Sequence, residues 1–243
     1  MKEERYFYVP EAKSRQELPD EEAQHAVRVL RLGRGDEMVL MDGQGVFYRA
    51  TITEADRKRC FYHITEEIQQ PRPWCATLHL AMAPTKNMDR NEWLAEKATE
   101  IGFDELSFLR CKFSERTTIK NERIDKILIS AMKQSRKAWK PILNEMTPFA
   151  DFIKQDYGDC DKFICHCYGT ESGDEFEDKP LLKDLLQRGH NTLVLVGPEG
   201  DFSVDEVKAA LQAGFRSVSL GQSRLRTETA ALVAVHLMHL PNE

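Results

Sequence analysis

Residues 192–207 read TLVLVGPEGDFSVDEV, and few folds accommodate that order. An uncharged, β-prone run fits a strand buried on both faces. Gly197, Pro198 and Gly200 then break it. Ser203, followed three residues later by Glu206, matches the box in which a hydroxyl and a carboxylate each satisfy a free backbone N–H at a helix start. Strand, glycine turn and helix in that order predict an open α/β sheet. Such sheets bind ligands outside the carboxyl ends of their strands.

The same alternation runs through most of the chain. ATLHLAMAP, ELSFLRC, KFICHCYG, TLVLV and RSVSL read as strands. NEWLAEKATEIG, ERIDKILISAMKQSRKAW, the region around LLKDLLQRG, VDEVKAALQAG and TETAALVAVHLM read as helices. Alternation of this kind predicts a mostly parallel sheet with helices on both faces. Upstream, HAVRVLRL has a short helical pattern, and short strands are broken by RGDE, DGQG and EADR, which suggests a small barrel. QQPRPW is the linker candidate, giving a β-rich domain over 1–70 and an α/β domain over 74–243.

The N-terminus is highly charged and lacks an apolar h-region, and no apolar run reaches membrane-spanning length, so a cytoplasmic protein is expected, with no membrane partner. Six cysteines show no regular framework, which fits a reducing compartment. Cys165-His166-Cys167 invites a metal reading, but neighbours on a strand point to opposite faces, and no metal is expected.

A net charge of −6 argues against a polyanionic partner until its distribution is read. Between Leu109 and Lys140 there are ten Lys/Arg against three acids, with Trp139 among them. The acids gather elsewhere, notably in ESGDEFED. A basic block on an acidic chain is expected where one face meets nucleic acid, although a solvated helix face gives the same count. Arg28 and Arg31, three apart in a helical pattern, would share one face and could contact phosphate or serve as ordinary surface charge.

The turn after 196 lacks both the G-x-G-x-x-G and the G-x-x-x-x-G-K-[ST] spacing, and it carries Glu199, which would repel phosphate. A neutral or cationic ligand suits it better. A second turn has the same logic: SLGQSRLRTETAA ends a strand, turns at Gly221 and opens a helix at Thr227-Glu228-Thr229, with Arg224 and Arg226 beside the crevice.

These paired motifs, GPEG and L-G-x-x-x-L-R-x-E-T-A, resemble the knotted α/β methyltransferases of the SPOUT class. More narrowly they resemble the RsmE-like family, which methylates N3 of a uridine in 16S ribosomal RNA. The likeness extends over RYFYVP, HAVRVLRLGRGDEMVLMDGQG, KNMDRNEWLAEKATEIGFDEL and AMKQSRKAWKPIL, that is, over essentially the whole chain. Asp201, where the family usually has a small residue, and Gln222-Ser223 depart from the pattern. The resemblance implies an N-terminal PUA-like β-barrel, a C-terminal trefoil knot, a homodimer, and S-adenosylmethionine as cofactor. It implies cofactor contacts, mainly through backbone, from Tyr168, Gly169 and Thr170, from Val196, Gly197, Pro198, Glu199 and Gly200, and from Leu220, Gly221, Ser223, Leu225, Arg226 and Thr227.

Transfer to uracil N3 needs positioning and removal of the N3 proton. The catalytic candidates are Arg226, to stabilise the uracil anion, and Glu228 or Glu199, to take the proton. Glu228 would also be favourable at a helix start without any chemical duty, and Arg226 could simply pair with it. Candidate RNA contacts are Arg28, Arg31, Lys86, Arg116, Gln134, Arg136 and Lys137, for a substrate that is 16S rRNA or the small subunit. Rival readings are ribose 2′-O methylation, whose Asn-rich first loop is missing, a non-catalytic ribosome-assembly factor, and a nicotinamide oxidoreductase, whose fingerprint is absent.

Overall fold

The computed structural model describes residues 4–169 and 179–243, so Thr170 and the acidic cluster ESGDEFED lie outside the described residues. The chain forms two compact units: residues 4–72 with Ile129–Lys140, and Pro73–Leu128 with Pro141–Glu243.

In the first unit β1 (Tyr6–Tyr8) pairs in parallel with β2 (Glu37–Met41), and β3 (Val46–Ala55) and β4 (Cys60–Gln69) continue the sheet antiparallel. Aspartates make its turns. Asp42 accepts from the backbone N–H of Gln44 and Val46, and Asp56 from those of Lys58 and Arg59, the local bonding that makes Asp a turn residue. β3 and β4 are ten residues each, longer than the short strands expected. Register shifts between Arg49 and Ala50 and between Ile52 and Glu54 curve the pair, as bulges do. The concave side holds Phe7, Leu18, Leu40, Ile52 and Tyr62, all buried.

The helical piece is α1 (Asp20–Gln24) running into a π-helical turn, His25–Val29. The turn ends before Arg31, whose φ of 55° takes the chain out of the helix. Arg28 and Arg31 are therefore not an i, i+3 pair on one helical face. A left-handed residue after a wide turn breaks the spacing that the pattern assumed.

In the second unit the order is β5 (Leu78–Met82), α2 (Met88–Ile101), β6 (Glu105–Arg110), α3 (Asn121–Gln134), β7 (Ile142–Leu143), β8 (Thr147–Pro148), α4 (Phe149–Phe152), β9 (Asp161–Cys165), α5 (Leu182–Leu185), β10 (Thr192–Val196), α6 (Val204–Gln212), β11 (Arg216–Val218) and α7 (Thr227–His239). The last turns of α3, from Ile129, group with the first unit. The strands lie in the order β11-β9-β10-β5-β6-β7, with β8 also on β6, and these pairs are parallel.

Alternate side chains feed two cores, as strand geometry requires. Leu80, Met82, Val194 and Val196 meet Leu94 and Ala98 of α2 and Ala231 and Val235 of α7. Ala81, Leu193 and Leu195 meet Phe149 of α4 and Val207 and Ala210 of α6 on the other face. Each fully buried aliphatic side chain of this kind stabilises by about 1.5–3 kcal/mol. Central β10 is buried along its whole length, as its apolar run predicts.

Five elements differ from expectation. β9 stops at Cys165 because its partner β10 turns away after Val196. α5 is only Leu182–Leu185: Leu181 bridges Ser219, and the N–H of Leu182 donates to the Ser219 carbonyl, so the segment starts extended. β7, β8 and α4 fill a stretch whose sequence carries no clear period. No helix among the described residues is long and apolar enough to cross a membrane.

Candidate active site

The carboxyl ends of β5, β9, β10 and β11 point the same way, and their outgoing loops gather the predicted residues. After Val196, Gly197 and Pro198 are buried, and Glu199 and Gly200 are exposed. A Cβ on Gly197 would lie 3.0 Å from both the backbone nitrogen and Cδ2 of Phe202, so only glycine lets the turn fold back this closely. Asp201 has φ 66°, the left-handed region that a glycine would occupy without strain. Its side chain offsets that cost. Oδ2 accepts from the N–H of Cys167 at 2.7 Å, and Oδ1 from the N–H of Phe202 at 2.7 Å. The departure from the family pattern is thus a clamp between the β9 and β10 loops.

The capping box is formed as the sequence implies. Ser203 Oγ accepts from the N–H of Glu206, and Glu206 Oε2 from the N–H of Ser203 at 2.8 Å. Glu206 Oε1 also accepts from the N–H of Lys112 at 2.7 Å.

The loop after β5 is held by two side chains that sequence reasoning placed elsewhere. Glu199 Oε1 accepts from the N–H of Lys86 at 2.8 Å. Arg116 donates through Nε to the Thr85 carbonyl at 3.1 Å and through its terminal nitrogen to that of Lys86. The Lys86 ammonium bonds Glu115 at 2.8 Å, and this bond, with Glu199 nearby, raises its pKa above the ordinary value. Inside the loop Asn91 accepts from the N–H of Thr85 and donates back to its carbonyl.

After β9, Tyr168 donates its hydroxyl to the Phe202 carbonyl at 2.7 Å. Lys179 donates to the carbonyls of His166 and Tyr168, and burial pushes its pKa down. Burial, and next Asp201, push the Cys167 thiol up, so it is no thiolate at neutral pH. Gly169 is half-buried. Among the described residues no group of three or more His, Cys, Asp or Glu is placed to hold a metal ion.

The β11 loop is built differently. Leu220 packs on the core, Gly221 turns at φ 127°, and residues 221–224, including Ser223, are exposed. Leu225 is half-buried and Arg226 exposed. Arg226 is the residue before α7, its side chain makes no cap, and its guanidinium has no ion-pair partner among the described residues. Thr227 and Glu228 are buried beneath it. Glu228 does not pair with Arg226. Its Oε1 lies 3.6 Å from Nε of Arg90 on α2, and its Oε2 is buried without a hydrogen-bond partner among the described residues. Arg90 was missed because nothing local marks a partner so distant in sequence.

The description of an RNA methyltransferase domain matches residues 72–239, and that of an RNA methyltransferase PUA domain matches residues 18–64. The chain belongs to the RNA methyltransferase domain family. Among solved structures this family member is similar to a probable rRNA-methyltransferase from Porphyromonas gingivalis, 42% identical with a TM-score of 0.90 and 98% of each chain covered. It is also similar to a ribosomal RNA small subunit methyltransferase E from Neisseria gonorrhoeae bound to S-adenosyl methionine, 25% identical, TM-score 0.81, with 98% of each chain covered. The protein of that name from Rickettsia conorii is 28% identical over 93% of this chain and 90% of its own.

In this methyltransferase the basic block between Leu109 and Lys140 is not one cationic face. It divides between the two units at Ile129. Arg116 binds carbonyls, Arg123 pairs with Glu92, and Lys133 with Glu22 at 2.5 Å. A count along the chain cannot see such pairing. Gln134 and Arg136 are exposed, Arg136 lies over the Tyr6 ring at 5.6 Å, and Lys137 is half-buried. Arg28 donates to the Arg57 carbonyl at 3.1 Å. Arg31, with Arg5 and Arg49, lines a cleft of 490 Å³ in the first unit. A second cleft of 570 Å³ opens at the amino ends of β5, β6 and β10, where Thr77, Glu105 and Thr192 line it, away from the gathered loops.

Proposed function

We propose that this RNA methyltransferase transfers the methyl group of S-adenosylmethionine to N3 of a uridine in 16S ribosomal RNA. The carrying observation is that the loops leaving the carboxyl ends of the parallel strands carry a closely folded glycine turn, the carboxylate of Glu199 bonded to the β5 loop, and Arg226, whose guanidinium has no ion-pair partner among the described residues. The residues fit such a cofactor. Gly197 lets the turn fold tightly against Phe202, and Glu199 and Asp201 make a negative turn that suits a cationic sulfonium and repels phosphate. When bound, the cofactor supplies an already activated methyl group.

The chain's own part is positioning, charge stabilisation and proton removal. Exposed Arg226 offers its guanidinium to the uracil oxygen on which charge develops. Glu199, exposed and using only Oε1 to hold Lys86, is the better placed proton acceptor. Buried Glu228 is assigned a holding role with Arg90. The target edge is a Watson–Crick edge, so the uridine must be unpaired or flipped out. Residues 1–70 are read as the RNA-binding domain and 74–243 as the methyltransferase domain, and Arg28, Arg31, Lys86, Arg116, Gln134, Arg136 and Lys137 are each proposed as RNA contacts. The resemblance's trefoil knot, a homodimer and a cytoplasmic site of action belong to the same reading.

Incubation with labelled S-adenosylmethionine and small subunits lacking the modification, followed by nucleoside analysis, tests it. 3-Methyluridine is the expected product. Label on ribose or another base removes the N3 assignment, and absence of transfer to these particles removes the substrate.

A further inference from the structure

The helices that leave the crevice start in different ways. α2 is capped by Asn87, whose side chain accepts from the N–H of Asp89 at 3.0 Å, and α6 has its complete capping box. α7 has no side-chain cap, although the residue before it is the proposed electrophilic arginine. An uncapped helix start frays unless something else holds it. Here the first turn carries Glu228, a buried carboxylate whose Oε1 faces the Arg90 guanidinium at 3.6 Å. Its Oε2 has no hydrogen-bond partner among the described residues. Removing the paired opposite charge from a buried carboxylate is strongly unfavourable, so Glu228 stays where Arg90 can reach it.

We propose that Arg90 is a positioning residue for methyl transfer: by pairing with Glu228 it takes the place of the missing cap and fixes the start of α7, and with it Arg226. The inference rests on the methyltransferase reading for its effect on rate. The two partners come from elements that leave the sheet at different strands. Arg90 lies in the first turn of α2, directly after the loop that Glu199 and Arg116 hold, and Glu228 directly after the Arg226 loop. The pair therefore ties the clamped β5 loop to the exposed β11 loop. The 3.6 Å separation leaves room to shorten when the crevice fills, as catalytic contacts often do.

The test uses the full chain and three variants, Arg90→Ala, Arg90→Lys and Glu228→Gln. Amide exchange at residues 227–231, S-adenosylmethionine affinity by calorimetry, and kcat and KM on small subunits are measured for each. Arg90→Ala is expected to speed exchange in that turn and to lower kcat by about tenfold or more, the scale of a misplaced catalytic group. Its cofactor affinity should change by less than about threefold, and Arg90→Lys should restore most of kcat by keeping the charge. Glu228→Gln removes the pair at constant shape and should reproduce the alanine result even if Arg90→Ala folds poorly. Unchanged exchange at 227–231 in both pair-breaking variants overturns the inference. So does a loss of kcat matched by an equal loss of cofactor affinity and of melting temperature. If the wild-type chain transfers no methyl group, the functional reading fails, while the exchange measurement still decides whether Arg90 holds the helix start.

Discussion

The loops after β10 and β11 look alike in sequence, each ending a strand at glycine and opening a helix, yet they are held in opposite ways. The β10 loop is fixed at nearly every residue. Gly197 is closed against Phe202, Glu199 bonds Lys86, Asp201 bonds Cys167 and Phe202, and Ser203 is capped. The β11 loop is anchored at its ends by Leu220 and by Thr227 and Glu228, with exposed residues between. On the function proposed above, this contrast divides the labour: the fastened loop would shape the cofactor site, and the exposed one would present a charge to the substrate. Groups that must meet a flipped base are better placed on the less fastened loop.

Substitutions at four positions, taken from the largest expected effect to the smallest, can break or sharpen this contrast. Arg226→Ala should lower the methylation rate by about a hundredfold, as losing one charge-stabilising donor does, with cofactor affinity nearly intact. Single-turnover assays with calorimetry decide it, and equal losses in both would erase the division of labour. Gly197→Ala should destabilise by about 1–3 kcal/mol because its Cβ meets backbone, and should weaken cofactor binding in step with the melting temperature. At the clamp, Asp201→Ala should cost about 1–2 kcal/mol by losing two hydrogen bonds while keeping the left-handed φ. Asp201→Gly should cost less, and the difference in melting temperature isolates the backbone strain. Ser223→Ala, in the exposed part of the β11 loop, should stay within about 0.5 kcal/mol of wild type in denaturant titrations. A larger effect there would mean that this loop is fastened after all.

Most of the sheet was legible because buried parallel strands and amphipathic helices announce themselves by period. β10 and the α6 cap are where residues 192–207 put them. The short pieces were not legible. A two-residue strand such as β7 has no period, and α5 starts only after the pairing of Leu181 with Ser219, a contact invisible locally, and ends where Leu186 turns extended. The same limit governs the site. Motif residues identify which loops matter, but Arg116 turns out to hold carbonyls, and Arg90 enters only through Glu228 on the last helix. Charge counted along the chain misled for the same reason: Lys133 and Glu22 are far apart in sequence and adjacent in space.

The strand order also sets a schedule for synthesis. β5 emerges from the ribosome early, but its neighbour β10 begins more than a hundred residues later, Leu78 pairing with Thr192. α7, which covers both strands, is the last helix made. At roughly 5–20 residues per second, the apolar faces of β5 and α2 spend several seconds or more without their final cover. That face of the sheet stays uncovered until α7 has been made, so a chain stopped before α7 would carry every residue of the GPEG turn and still lack the helix that packs behind it.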